Sequence, residues 1–146
     1  MFREARAADF DGVLALYRQL QPDDPVVEDG SDEAAFERIL ASQGLHLFVL
    51  ELDGAVIATT YLNVIPNLTR SAPPYAVIEN VVVEERLRGT GLGKQIMDAT
   101  LQAAWSAGCY KAMLMTGSRR PLTHAFYRAC GFSSDAKTAY LARPST

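Results

Sequence analysis

Residues 78–94 read IENVVVEERLRGTGLGK, and the architecture follows from this stretch. The apolar run within Tyr75 to Val83 is too continuous for a strand with one wet face, so this strand is expected to be buried on both faces. Glycines follow at alternate positions, 89, 91 and 93. Such spacing lets a backbone come close to a ligand and turn its N–H groups toward it. Leu92 to Ala107 then places Ile96, Met97, Leu101 and Ala104 on one side of a helix that Gly108 stops. Strand, glycine turn and helix N-terminus together make an anion site suited to phosphate or pyrophosphate. Arg86, Arg88 and Lys94 add cationic donors. A glycine turn that merely starts a helix is the alternative, and the three cations in this context weigh against it.

Outward from this stretch the hydrophobic period alternates between helix and strand. Residues 2–6 are expected to open with a short strand. Phe10, Val13, Leu14, Tyr17 and Leu20 recur at helical spacing, and Gln21 to Gly30 is a loop punctuated by two prolines. A second helix is expected from Ser31 as N-cap, with Phe36, Ile39 and Leu40 inward and Gly44 at its end. Leu45 to Leu52 and Ala55 to Ile65 read as strands joined by Asp53-Gly54, a strong hairpin signal. Pro66 to Pro74 is a loop, Tyr110 to Thr116 a strand, and Pro121 opens a short helix that ends at Gly131. Thr138 to Arg143 is expected to close the sheet as a last strand. The fold class is therefore α/β or α+β, one sheet flanked by helices on both faces. Loops 21–30 and 66–74 are the natural walls of a substrate pocket.

Composition narrows the classes. The 146 residues are 49% apolar and 21% charged, values of an ordinary globular domain, and the length suits one domain over residues 1–146. No apolar run approaches the ~20 residues of a membrane helix. Arg3, Glu4, Arg6 and Asp9 stand where a signal peptide would be apolar, so a cytoplasmic location is expected. Fourteen basic against seventeen acidic residues give a net charge of −3, which argues against a nucleic-acid partner. Cys109 and Cys130 have no zinc-ligand spacing, and His46 and His124 are the only histidines, so no metal site is expected.

Both common nucleotide motifs fail. A P-loop needs Ser or Thr after Gly93-Lys94, where Gln95 stands, and a Rossmann fingerprint needs G-x-G-x-x-G rather than G-x-G-x-G. Arg86-Leu87-Arg88-Gly89-Thr90-Gly91, repeated two residues later as Arg88 to Gly93, resembles the signature of the GNAT superfamily of acetyl-coenzyme-A-dependent N-acetyltransferases. The ending Phe126-Tyr127 through Gly131-Phe132 is similar to the family's close. IENVVV and Gly108-Cys109-Tyr110-Lys111 look most like the small branch that includes glucosamine-6-phosphate N-acetyltransferases.

The resemblance implies a mixed, mostly antiparallel sheet whose two parallel strands splay apart at the cofactor site. It also implies acetyl-CoA as cosubstrate. Val81, Val82 and Val83 would pair with the pantetheine arm. The turn of Arg86, Arg88, Gly89, Thr90, Gly91, Leu92, Gly93 and Lys94 would hold the pyrophosphate. Tyr127 would face the cofactor, with Thr123 one helical turn before it to bond the pantetheine.

The residues themselves suggest further roles. An alkyl ammonium with pKa near ~10.4 must lose a proton before it attacks a thioester. Glu79 interrupts an apolar strand and is a candidate to receive that amine or relay its proton, a structural carboxylate being the alternative. Simple alternation would put Glu79 on one face with Val81 and Val83, and Asn80 with Ile78 and Val82. Tyr127 and Thr123 share a helix face beside a core face of Leu122, Phe126 and Cys130, and Tyr127 is the candidate proton donor to the departing thiolate. Arg119 and Arg120 could hold a phosphate or simply be solvated. The expected activity is acetyl transfer to a small-molecule primary amine by direct sequential attack. A protein lysine or N-terminal acetyltransferase and a noncatalytic acyl-CoA-binding sensor stay open, as does a homodimer.

Overall fold

The Asp53-Gly54 turn sets the register of the sheet. Both residues have positive φ, 51° and 80°, as a two-residue hairpin turn requires. In the computed structural model, which describes residues 1–145, this turn joins β2 (Leu45–Leu52) to β3 (Ala55–Ile65). β1 (Phe2–Glu4), β4 (Tyr75–Val83) and β5 (Ala112–Met113) complete a five-stranded sheet of order β1-β2-β3-β4-β5. All pairs are antiparallel except β4 with β5, so the sheet is mixed and mostly antiparallel as expected. Helices α1 (Phe10–Leu20), α2 (Ser31–Ala41) and α3 (Leu92–Ser106) belong to the same compact unit, Met1–Leu114. A second unit, Met115–Thr146, contains α4 (Pro121–Ala129).

Consecutive residues of β2 show why both faces of the sheet need cover. Val49 joins Val13 of α1 and Phe36 of α2 in one buried cluster, against which Tyr17, Ile39 and Tyr61 pack. Leu50 joins Ala58 of β3 and Ile96 of α3 in another, against which Val83 and Leu92 pack. Between β3 and α3 lies a fully buried hydroxyl pair, with Thr60 Oγ1 2.7 Å from Thr100 Oγ1. Thr100 Oγ1 donates to the Ile96 carbonyl at 2.7 Å, which leaves Thr60 as donor within the pair.

Several local expectations are corrected. The first strand is Phe2–Glu4 rather than 2–6. Gly30 in the left-handed region, not Ser31, is the N-cap of α2, and Asp29 Oδ1 accepts from the Ser31 N–H at 3.0 Å. Leu40 is exposed, because the apolar stripe of α2 is narrow and Phe36 and Ile39 fill it. The strand expected over Tyr110 to Thr116 is reduced to Ala112–Met113. Tyr110 lies outside it, with the Lys111 ammonium 5.2 Å from its ring centre and 5.3 Å from that of Tyr75. Thr138 to Arg143 forms no strand, since strand-like residues alone do not make one without a ladder partner, and Tyr140 is 91% exposed.

Arg3 ties the N-terminal strand to the start of α1. Its guanidinium donates to both oxygens of Asp9 at 2.7 and 3.0 Å and to Glu51 Oε2 at 2.9 Å. Asp9 also accepts from the Arg6 N–H at 2.7 Å. The Arg3 hydrogen bonds hold the Asp9 carboxyl below its usual range, against the upward push of burial. A carboxyl lowered on folding stabilises fully above its unfolded pKa of about 3.9. That stability is lost as pH falls through the folded value. Asp9→Asn is therefore expected to cost about 1.5–3 kcal/mol at pH 7, the range for hydrogen bonds to charged groups. In urea denaturation series the difference from the parent protein should shrink steadily below about pH 4.

Candidate active site

The strand β4 is irregular at its centre. Glu79 pairs with Tyr61 and Val82 with Thr59, so Asn80 and Val81 together oppose the single Thr60. This is a β-bulge, and Asn80 carries the left-handed φ of 52° that it needs. Asparagine is among the few residues that accept this conformation readily. The bulge overturns the simple alternation: through their partners on β3, Glu79 and Val82 share one face, while Ile78 and Val83 share the other. Glu79 is half-buried and directly across from Tyr61.

On its other side β4 loses its neighbour. β5 pairs only with Ala76 and Val77, so among the described residues no strand covers the edge from Ile78 to Val83. The expected splay between the two parallel strands is present. Val82 is buried, whereas Val81 and Val83 are half-buried.

Beyond Val83 the chain forms a 3-10 turn, Glu85–Leu87, and enters α3. Gly89 and Gly91 take φ of 79° and 89°, and Gly91 is the N-cap of α3 with no side-chain cap. A helix leaves its first N–H groups without intrahelical acceptors, so those of Leu92 and Gly93 stand at the positive end of the α3 dipole. A Cβ built on Gly89 or Gly91 meets nothing within 4 Å. The open space in front of this turn suits a pyrophosphate.

The cations of the turn are engaged within the protein. Arg88 Nε donates to the Val83 carbonyl at 3.0 Å, Arg86 Nε to Glu84 Oε1 at 3.3 Å, and Lys94 Nζ to Asp98 Oδ2 at 2.7 Å. Thr90 Oγ1 donates to the Leu87 carbonyl, which folds the turn on itself. Glu84 in turn accepts from the Arg86 N–H at 2.6 Å. Burial pushes its carboxyl up, but its Arg86 and Gln19 contacts outweigh this and leave it below the usual range. From α1, Gln19 Oε1 accepts the Glu85 N–H at 2.8 Å.

In the second unit, α4 explains the Phe-Tyr and Gly-Phe pattern physically. Gly131 has φ of 96°, its N–H donates to the Arg128 carbonyl at 2.9 Å, and the Phe132 N–H donates to the Tyr127 carbonyl at 3.1 Å. These are the two bonds of a Schellman cap, whose usual apolar contact is here between the Phe132 and Tyr127 rings, 6.2 Å apart and edge-on. The helix end thus fixes the Tyr127 ring. Burial, with a smaller contribution from Cys130, raises the Tyr127 pKa, so its hydroxyl stays protonated at neutral pH. Thr123 Oγ1 accepts from Ser118 Oγ at 3.0 Å, and His124 Nε2 lies 2.8 Å from the Ser118 carbonyl. Leu122 is 84% exposed, so it does not belong to a core face with Phe126 and Cys130 as expected. Arg119 and Arg120 precede α4, and the Arg120 N–H donates to Ser118 Oγ at 3.2 Å.

Two features escaped the sequence reading: the bulge and the Thr60–Thr100 pair. An asparagine amid valines was the available signal, since asparagine is depleted in strands and tolerates positive φ. The expected pocket wall at 66–74 lines a groove of about 430 Å³ with Gly44, Val64, Pro66, Asn67, Ala72 and Pro74.

The Acetyltransferase (GNAT) family pattern matches residues 13–132. Glucosamine 6-phosphate N-acetyltransferase 1 of Oryza sativa subsp. japonica is 32% identical over 124 residues, covering 83% of this chain and 73% of the rice protein. A protein of Agrobacterium tumefaciens str. C58 assigned as an acetyltransferase superposes with a TM-score of 0.93 at 43% identity, over 99% of each chain. Glucosamine-6-phosphate N-acetyltransferase from Arabidopsis thaliana superposes with a TM-score of 0.83 at 27% identity, over 99% of this chain and 97% of that one.

Gly91→Val tests the turn. Its Cβ meets nothing, so the obstacle is the φ of 89°, at a cost of about 1–3 kcal/mol for a non-glycine residue. The variant should fold but lose at least about tenfold in affinity for coenzyme A by titration calorimetry, because the αL cap of α3 is disturbed and a branched side chain enters the anion space. Retained affinity would remove the turn from the binding site.

Proposed function

The chain belongs to the Acetyltransferase (GNAT) family, and from that premise we propose that it moves an acetyl group from acetyl-CoA to a primary amine of a small molecule by direct sequential transfer. The observation that carries the proposal is the uncovered edge of β4 from Ile78 to Val83, running into the uncapped N-terminus of α3. A linear ligand with amide groups in one part and a pyrophosphate in another matches both features. Val81 to Val83 would bond the pantetheine amides along the edge, and the backbone of Gly89 to Lys94 would hold the pyrophosphate.

Acetyl-CoA supplies an activated acyl group as a thioester. The protein's own groups then have three tasks. Glu79, at the bulge and half-buried, would take the proton of the acceptor ammonium directly or through water. Backbone N–H groups at the bulge, among them that of Val82, would stabilise the developing oxyanion. Tyr127 would donate a hydrogen bond to the departing sulfur. A phenol with pKa above ~10 loses its proton less readily than a thiol near ~8.5, so Tyr127 acts chiefly as that donor. Direct transfer is favoured over a thiol-linked intermediate because both cysteines are buried, and burial pushes the Cys109 thiol up.

The relatives named for glucosamine 6-phosphate favour a small amine over a peptide acceptor. Release of free thiol from acetyl-CoA should therefore be stimulated by at least one member of a panel of amino sugars, amino sugar phosphates and polyamines. Stimulation only by lysine-bearing peptides would assign a protein acceptor. Tight acetyl-CoA binding without turnover on any amine would assign a sensor. Within the active enzyme, Tyr127→Phe and Glu79→Gln are each expected to lower kcat by roughly 10²-fold, within the range of general acid–base contributions, with acetyl-CoA affinity little changed. An unchanged kcat would remove the residue from the mechanism.

A further inference from the structure

Between the open edge of β4 and the glycine turn, each main-chain N–H from Glu84 to Arg88 is engaged within the protein. The Glu84 N–H donates to the Ile57 carbonyl at 2.7 Å, and the Leu87 and Arg88 N–H groups donate to the carbonyls of Glu84 and Glu85 at 2.9 and 3.4 Å. The Arg86 N–H goes to the Glu84 carboxylate at 2.6 Å. The remaining donor, the Glu85 N–H, is taken by a side chain from a distant part of the sequence, Gln19 Oε1 of α1, at 2.8 Å. Gln19 Nε2 in turn donates to Glu84 Oε1 at 3.4 Å, so one amide grips two consecutive residues. Gln19 stands one helical turn after Leu16, which is 2% exposed, so the face of α1 that packs in the core also carries this amide.

We infer that Gln19 is a positioning residue for coenzyme A: by gripping Glu84 and Glu85 it fixes the path of the chain from the β4 edge to the α3 N-terminus, and with it the spacing between the two places that hold the ligand. The inference rests on the proposed activity and adds to it a residue that touches neither substrate. Glu85 is exposed, so water would satisfy its N–H as well as Gln19 does. What the side chain adds is direction. A ligand held at two places gains from the second only where their separation matches its own span. A segment fixed beforehand also costs no ordering when the ligand binds. With their N–H groups already engaged, Glu84 to Arg88 serve the ligand as a spacer of set geometry, and Gln19 is what ties that spacer to α1.

Gln19→Ala removes the grip and leaves a good helix former on α1. We expect affinity for coenzyme A, by titration calorimetry, to fall about tenfold, and the loss in turnover to lie in the KM for acetyl-CoA more than in kcat. Amide exchange of Glu85 in the unliganded protein should be faster, while exchange in the β1–β2 pairing stays as in the parent protein. Gln19→Glu keeps an acceptor for the Glu85 N–H but sets two carboxylates against each other, and should weaken binding as well. Joining it to Glu84→Gln swaps donor and acceptor across the contact, and should bring affinity back to within about threefold of the parent protein, which a general loss of stability would not do. Parent-like affinity in Gln19→Ala overturns the inference, as does unchanged Glu85 exchange or a double variant no better than Gln19→Glu. Failure of the parent protein itself to bind coenzyme A counts against the proposed activity instead.

Discussion

Backbone N–H and C=O groups that leave water must find partners, and along β4 that demand is met on one side only. From Ile78 to Val83 the strand pairs with β3 through a bulge, while β5 has already ended its pairing at Val77. A row of main-chain donors and acceptors is thereby left for something other than a strand. The site is in this sense a piece of sheet withheld from the sheet. The proposed chemistry depends on keeping that edge open and the bulge in place.

The rest of the first unit serves this constraint. α3 packs on one face through Ile96, anchors Thr60 through Thr100, and presents its uncapped N-terminus just beyond Val83. α1 packs on the other face and caps the outgoing turn through Gln19. α3 therefore holds the sheet opposite the bulge, and α1 holds the end of the strand. In the second unit the Schellman cap at Gly131 performs an analogous task, since Phe132 closes the helix and fixes the Tyr127 ring in one contact. Much of what looks like a chemical signature in the sequence is thus support for backbone geometry.

The fold was largely legible because its signals are local. Asp53-Gly54, the periodicity of α1 and α3 and the glycines at 89 and 91 each act within a few residues. Errors fell where long-range pairing decides. The length of β5 depends on how far it stays beside β4, and Thr138 to Arg143 has strand-like residues but no ladder partner among the described residues. The site was legible in its phosphate turn and less so in its strand. Glu79 drew attention as a carboxylate among valines, but simple alternation assigned it the wrong companions. Only the pairing of Tyr61 with Glu79 and of Thr59 with Val82 reveals the extra residue. Arg86, Arg88 and Lys94, expected as cationic donors to a phosphate, bond Glu84, the Val83 carbonyl and Asp98 in the structure. In the proposed site the main-chain N–H groups carry the anion, with the positive charges around them.

In the proposed enzyme the uncovered β4 edge and the α3 N-terminus form one binding track for acetyl-CoA. Amide hydrogen exchange with and without coenzyme A measures it directly, since each main-chain donor reports its own partner. Exchange should slow at Val81–Val83 and at Leu92 and Gly93 when coenzyme A is added, and change little at the β1–β2 pairing. Binding that leaves those amides unchanged and protects another segment would contradict the account.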